Sequence, residues 1–218
     1  MNTVIFDMDG LLIDSEPLWQ EAANEIFSIN NVSISKEEYD KTTGLRTVEF
    51  LEHWFNHFKL DKSLIPSWDK MIVDAVIEKV KIKGVIMNGV DYIFNFFEQQ
   101  NFKIGLATSS PTSLIDAVVE IAGIKKYLKA IASAQDLPYG KPNPQVYLDC
   151  AAMLQSNPTE CICFEDSING MIAAKAAKMK CVVVPAAAQA KDLRWSLADL
   201  QLSSLQNFGQ LHFERLRR

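Results

Sequence analysis

Short apolar runs that alternate with stretches of helical spacing constrain this chain more than any other feature. The runs fall at 4–6, 103–107, 130–132, 161–164 and 181–184. Each is too short for a buried helix and has the composition of a buried strand. Between them, 91–100, 112–122, 145–154 and 169–178 carry helical patterns. Strands that alternate with helices predict an α/β fold, a doubly wound, Rossmann-like parallel sheet covered on both faces. Open sheets of this kind bind ligands outside the carboxyl ends of their strands. The residues that directly follow each run are therefore the candidates for a functional site.

One region breaks the alternation. Residues 15–81 hold no convincing strand, read as helical (including a helix over 47–59) and concentrate aromatics: Trp19, Phe27, Tyr39, Phe50, Trp54, Phe55, Phe58 and Trp68. This predicts a small helical cap domain, 15–81, inserted into a catalytic core made of 1–14 and 82–218. The 218 residues are enough for one large core with a smaller module. No repeat or low-complexity tract interrupts the pattern.

Composition removes several function classes. With 22 Lys+Arg against 27 Asp+Glu the chain is mildly acidic, and no basic block offers a footprint for nucleic acid. No apolar stretch approaches the ~20 residues that span a bilayer, and no signal segment precedes the first strand. A membrane is not expected as a partner, and the cytoplasm is the expected compartment. Cys150, Cys161, Cys163 and Cys181 match no zinc or redox spacing and read as packing residues of a reducing compartment. His53 and His57 lie four apart on the expected 47–59 helix, but Trp54 stands where a His-Glu-x-x-His metal site needs its acid.

Four strand ends carry polar groups. The first run delivers Asp7, with Asp9 two residues on and Gly10 opening a turn. Acids and glycine after a strand are also ordinary turn chemistry, so the downstream ends decide. The second run ends in Thr108-Ser109-Ser110-Pro111, offering hydroxyls and amides at a helix start, where anions bind. Ser110 reads equally as a plain N-cap, with Pro111 at the first helical position. Lys141 sits in the stiff Gly140-Lys141-Pro142-Asn143-Pro144 loop, as a positioned or a solvated cation. The fourth end is Glu165-Asp166-Ser167, where Asp166 is either an N-cap or, with Asp7, part of an oxygen-rich site suited to Mg²⁺. An EF-hand over 7–18 fails on spacing, because Gly10 is the fourth loop residue and Leu18 occupies the place of the bidentate Glu.

In this order the four elements resemble the haloacid dehalogenase superfamily of phosphohydrolases and mutases. Asp7-Met8-Asp9-Gly10 with Asp14-Ser15-Glu16 fits its first motif, Thr108 its second, Lys141 its third and Glu165-Asp166 its fourth. The helical insertion fits its small cap. Within it, the chain is most similar to bacterial sugar phosphatases related to 2-deoxyglucose-6-phosphatase and hexitol phosphatase, and next to β-phosphoglucomutase. The resemblance implies Mg²⁺ and a small phosphorylated sugar as substrate, and a monomer is expected. It implies that Asp7 is the nucleophile and Asp9 the general acid and base. Thr108, Ser109 and Lys141 would hold the phosphoryl group, while Asp7, Asp166 and the Asp9 carbonyl would bind the metal. Glu165 would be a further ligand or a partner of one.

Arg46, in the Thr43-Gly44-Leu45-Arg46 turn, resembles a cap-loop residue placed to contact the distal oxygens of the substrate; a solvated arginine at a helix start is the other reading. Two positions depart from the pattern. Asn88-Gly89-Val90 stands where relatives usually have Pro-Gly-Val, and Ser109 where Ala is common. An acid at Asp9 argues against carbon–halogen cleavage, which needs no protonated leaving group. The alternatives are a β-phosphoglucomutase-type mutase with the same aspartyl-phosphate and, from another class, a phospho-accepting signalling module.

Overall fold

The computed structural model describes residues 1–217. Six parallel strands, β1 (Thr3–Phe6), β2 (Lys103–Thr108), β3 (Leu128–Ser133), β4 (Cys161–Glu165), β5 (Lys180–Val183) and β6 (Leu200–Gln201), form one sheet in the order β3-β2-β1-β4-β5-β6. The chain thus winds outward in both directions from β1. Phe6 pairs with Leu106 on one side and Phe164 on the other, so the carboxyl ends of the three central strands finish side by side. The two-residue β6 has no apolar run to announce it, which is why the sequence pattern omits it.

Alternation along each strand divides the core. On one face Val4, Phe6, Ile104, Leu106, Ile162 and Phe164 pack under α5 (Val90–Gln99) and α6 (Thr112–Ile121). Phe6 stacks on Phe94 and Phe164 at centroid separations of 4.7 and 5.0 Å. The other face is built of smaller residues, Ile5, Ala107, Ala130, Ala132 and Val183 with Cys161, Cys163 and Cys181, and lies under α7 (Gln145–Met153) and α8 (Ile168–Ala176). All four cysteines are free and buried there, as packing residues. The chain ends in α9 (Gln210–Arg217), whose Phe213 and Leu216 cover the aromatic face.

Between β1 and α5 the chain forms α1 (Glu16–Phe27), α2 (Lys36–Tyr39), α3 (Thr47–Phe58) and α4 (Ile65–Lys83), with no strand. Phe27 sits at their centre, edge-on to Phe50, Phe55 and Trp68 at 5.1–6.1 Å. On the outside, Lys79 and Lys83 of α4 pair with Glu21 and Glu25 of α1. The helix α4 runs to Lys83, past the expected domain boundary at 81, and Lys81 and Lys83 in its last turn suit the negative end of a helix. The two connections to the core run together: Asp14 N–H donates to Val85 O (2.8 Å) and Met87 N–H to Leu12 O (2.9 Å). His53 and His57 are exposed on α3, beside the ring of Trp54. Among the described residues no helix is long and apolar enough to cross a membrane.

Candidate active site

The register of the sheet brings Asp7, Thr108, Lys141, Glu165 and Asp166 to one place. Asp7 N–H donates to Phe164 O at 3.0 Å, which continues the ladder one step and fixes the direction of the buried carboxylate. From the loop before α7, the Lys141 ammonium donates to Asp7 Oδ1 (2.5 Å), Glu165 Oε1 (2.7 Å) and Ala107 O (3.2 Å). The Lys141 side chain is 2 % exposed, which decides between its two readings in favour of a positioned cation. Burial alone would lower its pKa. Asp7 and Glu165 overcome that effect and hold it above the ordinary lysine range.

Glu165 is 0 % exposed, and both its oxygens are engaged. Oε1 accepts from Lys141 and from Tyr147 Oη (2.5 Å), while Oε2 accepts from the N–H groups of Asp166 and Ser167 and from Ser167 Oγ, each at 3.1 Å. Gly170 leaves it room, since a Cβ there would meet Oε1 at 1.7 Å. Ligand and partner were the two roles expected for Glu165; in this geometry it is also the carboxylate that anchors Lys141. Ser167 Oγ caps α8 by accepting from Gly170 N–H, so Asp166 is not the N-cap and its carboxylate turns to the site.

The acid oxygens of Asp7, Glu165 and Asp166 come within 4.8 Å of one another. Burial, with Lys141 pulling against Glu165 and Asp9, pushes Asp7 up to about 8, and burial with the neighbouring acids raises Asp166 well above its ordinary value. The cluster has too little positive charge. Gly10, at φ 70°, leaves space for this crowding, because a Cβ there would lie 2.0 Å from Asp166 Oδ2. Oxygen donors short of a cation fit a hard ion such as Mg²⁺, with Asp7 and Asp166 as the carboxylates facing it.

Asp9 points elsewhere. Its Oδ1 accepts from Ser15 Oγ (2.6 Å) and Trp19 Nε1 (3.0 Å), and its Oδ2 from Ser110 Oγ (2.6 Å), with Thr108 Oγ1 at 3.5 Å. Both of its side-chain oxygens are thus engaged, and its expected place in the metal set would fall to its main-chain carbonyl. Ser110 is no N-cap: α6 starts at Thr112 with Pro111 in the cap position, so Pro111 is not the first helical residue. Ser15 belongs to the first motif and Trp19 follows it in the cap, yet their hold on Asp9 leaves no spacing signal. Thr108 is buried beside Asp9, and its Oγ1 accepts from Ser110 N–H at 3.1 Å.

The cap closes over these groups. A cavity of about 50 Å³ lies between Asp7, Asp9, Thr108 and Lys141 below and Glu16, Trp19, Tyr39, Thr43 and Phe50 above. It has room for a few waters, which need ~10–15 Å³ each, and not for a hexose. The cap must lift to admit a larger ligand. Glu16 has no assigned role in the sequence reading, yet it faces the cavity half-buried, and burial with the nearby Asp9 and Asp7 pushes it up to about 8.

Two expected binding residues are used in closure. Ser109 lines the cavity, and its Oγ donates to Gly44 O (2.9 Å). Arg46, expected to contact distal substrate oxygens, is not among the residues that line the cavity in this structure. Its guanidinium donates to Leu137 O (2.5 Å), Ala134 O (3.2 Å) and Pro138 O (3.4 Å) of the core and to Glu49 Oε1 (2.7 Å). Core carbonyls converge there as the loop leaves β3, and a guanidinium can serve several acceptors at once.

A family model described as haloacid dehalogenase-like hydrolase matches residues 4–184, which include all four strand-end motifs. The chain belongs to that family. Hexitol phosphatase B of Escherichia coli K12 is 41 % identical over 202 residues, covering 92 % of this chain and 91 % of that protein. Among solved structures, CbbY of Rhodobacter sphaeroides in complex with phosphate superposes with a TM-score of 0.89 at 23 % identity, over 100 % of each chain. A β-phosphoglucomutase from Clostridium difficile gives 0.88 at 21 %, over 100 % of this chain and 97 % of that one. At those identities the two structures speak to the fold alone.

Proposed function

We propose that this hydrolase is a Mg²⁺-dependent phosphatase of small sugar or sugar-alcohol monophosphates that works through an aspartyl-phosphate on Asp7. The observation that carries the reading is a buried carboxylate, Asp7, held 2.5 Å from a buried ammonium, Lys141, under a cavity whose far wall is polar and aromatic. A phosphate monoester is a dianion, and a carboxylate approaching it meets like charge, so positive charge must be in place first. Lys141 supplies part of it. When bound, Mg²⁺ supplies the rest, and Asp7, Asp166 and the Asp9 carbonyl are the groups that would hold it.

Asp7 then attacks phosphorus as the ester P–O bond breaks, and Asp9, carrying a proton, gives it to the departing sugar oxygen. The same carboxylate, now anionic, takes a proton from the water that hydrolyses the acyl-phosphate. Ser15, Trp19 and Ser110 hold Asp9 ready for that second duty. Thr108 and the amides that follow it orient the phosphoryl oxygens. Closure of the cap keeps bulk water out.

Substrate class rests on the cavity wall and on the relative that hydrolyses hexitol phosphates by name. Glu16 and Thr43 suit hydroxyl groups, and Trp19 and Phe50 suit carbon–hydrogen faces. We infer cytoplasmic residence, which four unpaired cysteines support, and a monomer.

Phosphate release with and without Mg²⁺ tests the reading, using sorbitol 6-phosphate, mannitol 1-phosphate, 2-deoxyglucose 6-phosphate and β-glucose 1-phosphate, with Asp7→Asn as control. Metal-dependent release from the first three, absent in the control, is expected. Isomerisation of β-glucose 1-phosphate on addition of a sugar bisphosphate, without phosphate release, would make the enzyme a mutase.

A further inference from the structure

Tyr147 is among the largest fully buried side chains of the protein, packed in the small-residue layer beneath the sheet. A phenylalanine would fill the same space, so packing does not account for its hydroxyl. Burying a hydroxyl is costly unless it finds a partner, and this one donates to Glu165 Oε1 at 2.5 Å. Its ring meanwhile lies 4.8 Å from the Lys141 ammonium, within cation–π range. One side chain on α7 thus touches both halves of the Lys141–Glu165 pair and reaches none of the reacting atoms.

We propose that Tyr147 is a positioning residue that sets how Lys141 is shared between Glu165 and the phosphoryl site. An ammonium has three protons to donate, and here they go to Asp7, Glu165 and Ala107 O. A carboxylate arriving at full strength would draw the ammonium back from Asp7 and from any phosphoryl oxygen beside it. Glu165 is prevented from doing so because its oxygens accept from four other donors. Three are main-chain or Ser167 groups of its own turn, all on Oε2. The Tyr147 hydroxyl is the one that occupies Oε1, the oxygen Lys141 uses. The ring closes the remaining side of the ammonium, so the ion keeps its aim when the cap opens and water enters. The effect is largest where negative charge on the phosphoryl group is largest, in the transition state.

This inference rests on the phosphoryl-transfer reading of Lys141, and the two fail differently. If wild-type protein releases no phosphate, that reading falls. If it does, Tyr147→Phe tests the inference through kcat, KM for sorbitol 6-phosphate, and inhibition by vanadate, a transition-state mimic, and by inorganic phosphate. The hydrogen bond involves a charged acceptor, so we expect kcat to fall ~10-fold and the vanadate inhibition constant to rise by a similar factor. Those for phosphate and KM should move less than ~3-fold. A second arm makes the same change in a Lys141→Met background, where vanadate affinity should no longer respond to it.

Kinetic constants are expressed per folded site, counted by saturating vanadate titration, so that a loss of folded protein is not read as a loss of function. Unchanged kcat per site, equal weakening of phosphate and vanadate, or an undiminished effect in the Lys141→Met protein would each overturn the assignment and leave Tyr147 as packing.

Discussion

The floor of the site and the cap above it are held by different physics. In the floor, Asp7, Lys141 and Glu165 are at most 8 % exposed at the side chain and hydrogen-bond to one another and to main chain at strand ends. No loop has to move for this arrangement to exist. The cap has its own aromatic interior around Phe27 and meets the core through bonds that opening would exchange for water: Ser109 Oγ to Gly44 O, Asn169 Nδ2 to Thr43 O, Gly140 N–H to Glu49, and the Arg46 fan. The contrast assigns chemistry to a rigid element and access to a movable one. Changes in the floor should therefore alter the rate of the chemical step and those in the cap its commitment to substrate.

The largest expected effect is at Asp7. Asp7→Asn keeps the size of the side chain and removes the nucleophile, so turnover should be undetectable in phosphate-release assays while the protein stays folded. Asp9→Ala should retain weak activity, ~10²–10⁴-fold below wild type, the range of general acid–base assistance. Its loss should shrink for substrates with good leaving groups such as p-nitrophenyl phosphate, which need little protonation. Near-normal rates on sugar phosphates in either variant would move the chemistry out of the floor.

The sequence was more informative about the floor than about the cap, and the reason is geometric. A side chain at a strand end inherits its position from the strand, so apolar runs ending at Phe6, Ala107 and Phe164 predict where Asp7, Thr108 and Glu165 emerge, and the structure places them within a residue of that reading. Competition for partners is not written in the runs. That Glu165 spends its oxygens on Lys141, Tyr147 and its own turn, or that Ser110 serves Asp9 and leaves the helix cap to Pro111, follows from neighbours far apart in the chain. Arg46 shows the same limit in the cap. A motif can locate it in a loop near the site, but its acceptors at 134, 137 and 138 belong to the other half of the molecule.

A latch and a substrate ligand make different demands on Arg46. Arg46→Ala removes three contacts to core carbonyls and should lower kcat/KM ~10-fold, as expected for the loss of charge-assisted hydrogen bonds made only on closure. If the guanidinium acts as a latch, the factor should be the same across the hexitol and hexose phosphates. A factor that varies strongly with the distal end of the substrate would restore Arg46 to the cavity in the ligand-bound state.

The smallest expected effect concerns Glu16, where the cap places a carboxyl against the acids of the floor. Its pKa, ordinarily 4.5, is raised to about 8 in the folded protein by burial and by Asp9 and Asp7. Between those values the folded state holds more protons than the unfolded one, so stability falls as pH rises. The contribution is complete below pH ~4.5 and gone above ~8. In metal-free protein, thermal denaturation from pH 5 to pH 8 should show wild type losing more stability than Glu16→Gln, the two curves meeting at the acid end and separating toward pH 8. Asp7 and Asp166 titrate in both proteins and repel Glu16, so the difference reads the cap residue together with its coupling to the floor. Glu16 is only half-buried and water enters as the cap lifts, so the separation should be well below what the full shift allows. Parallel curves would mean that Glu16 spends its time in solvent and that the metal-free cap stands open.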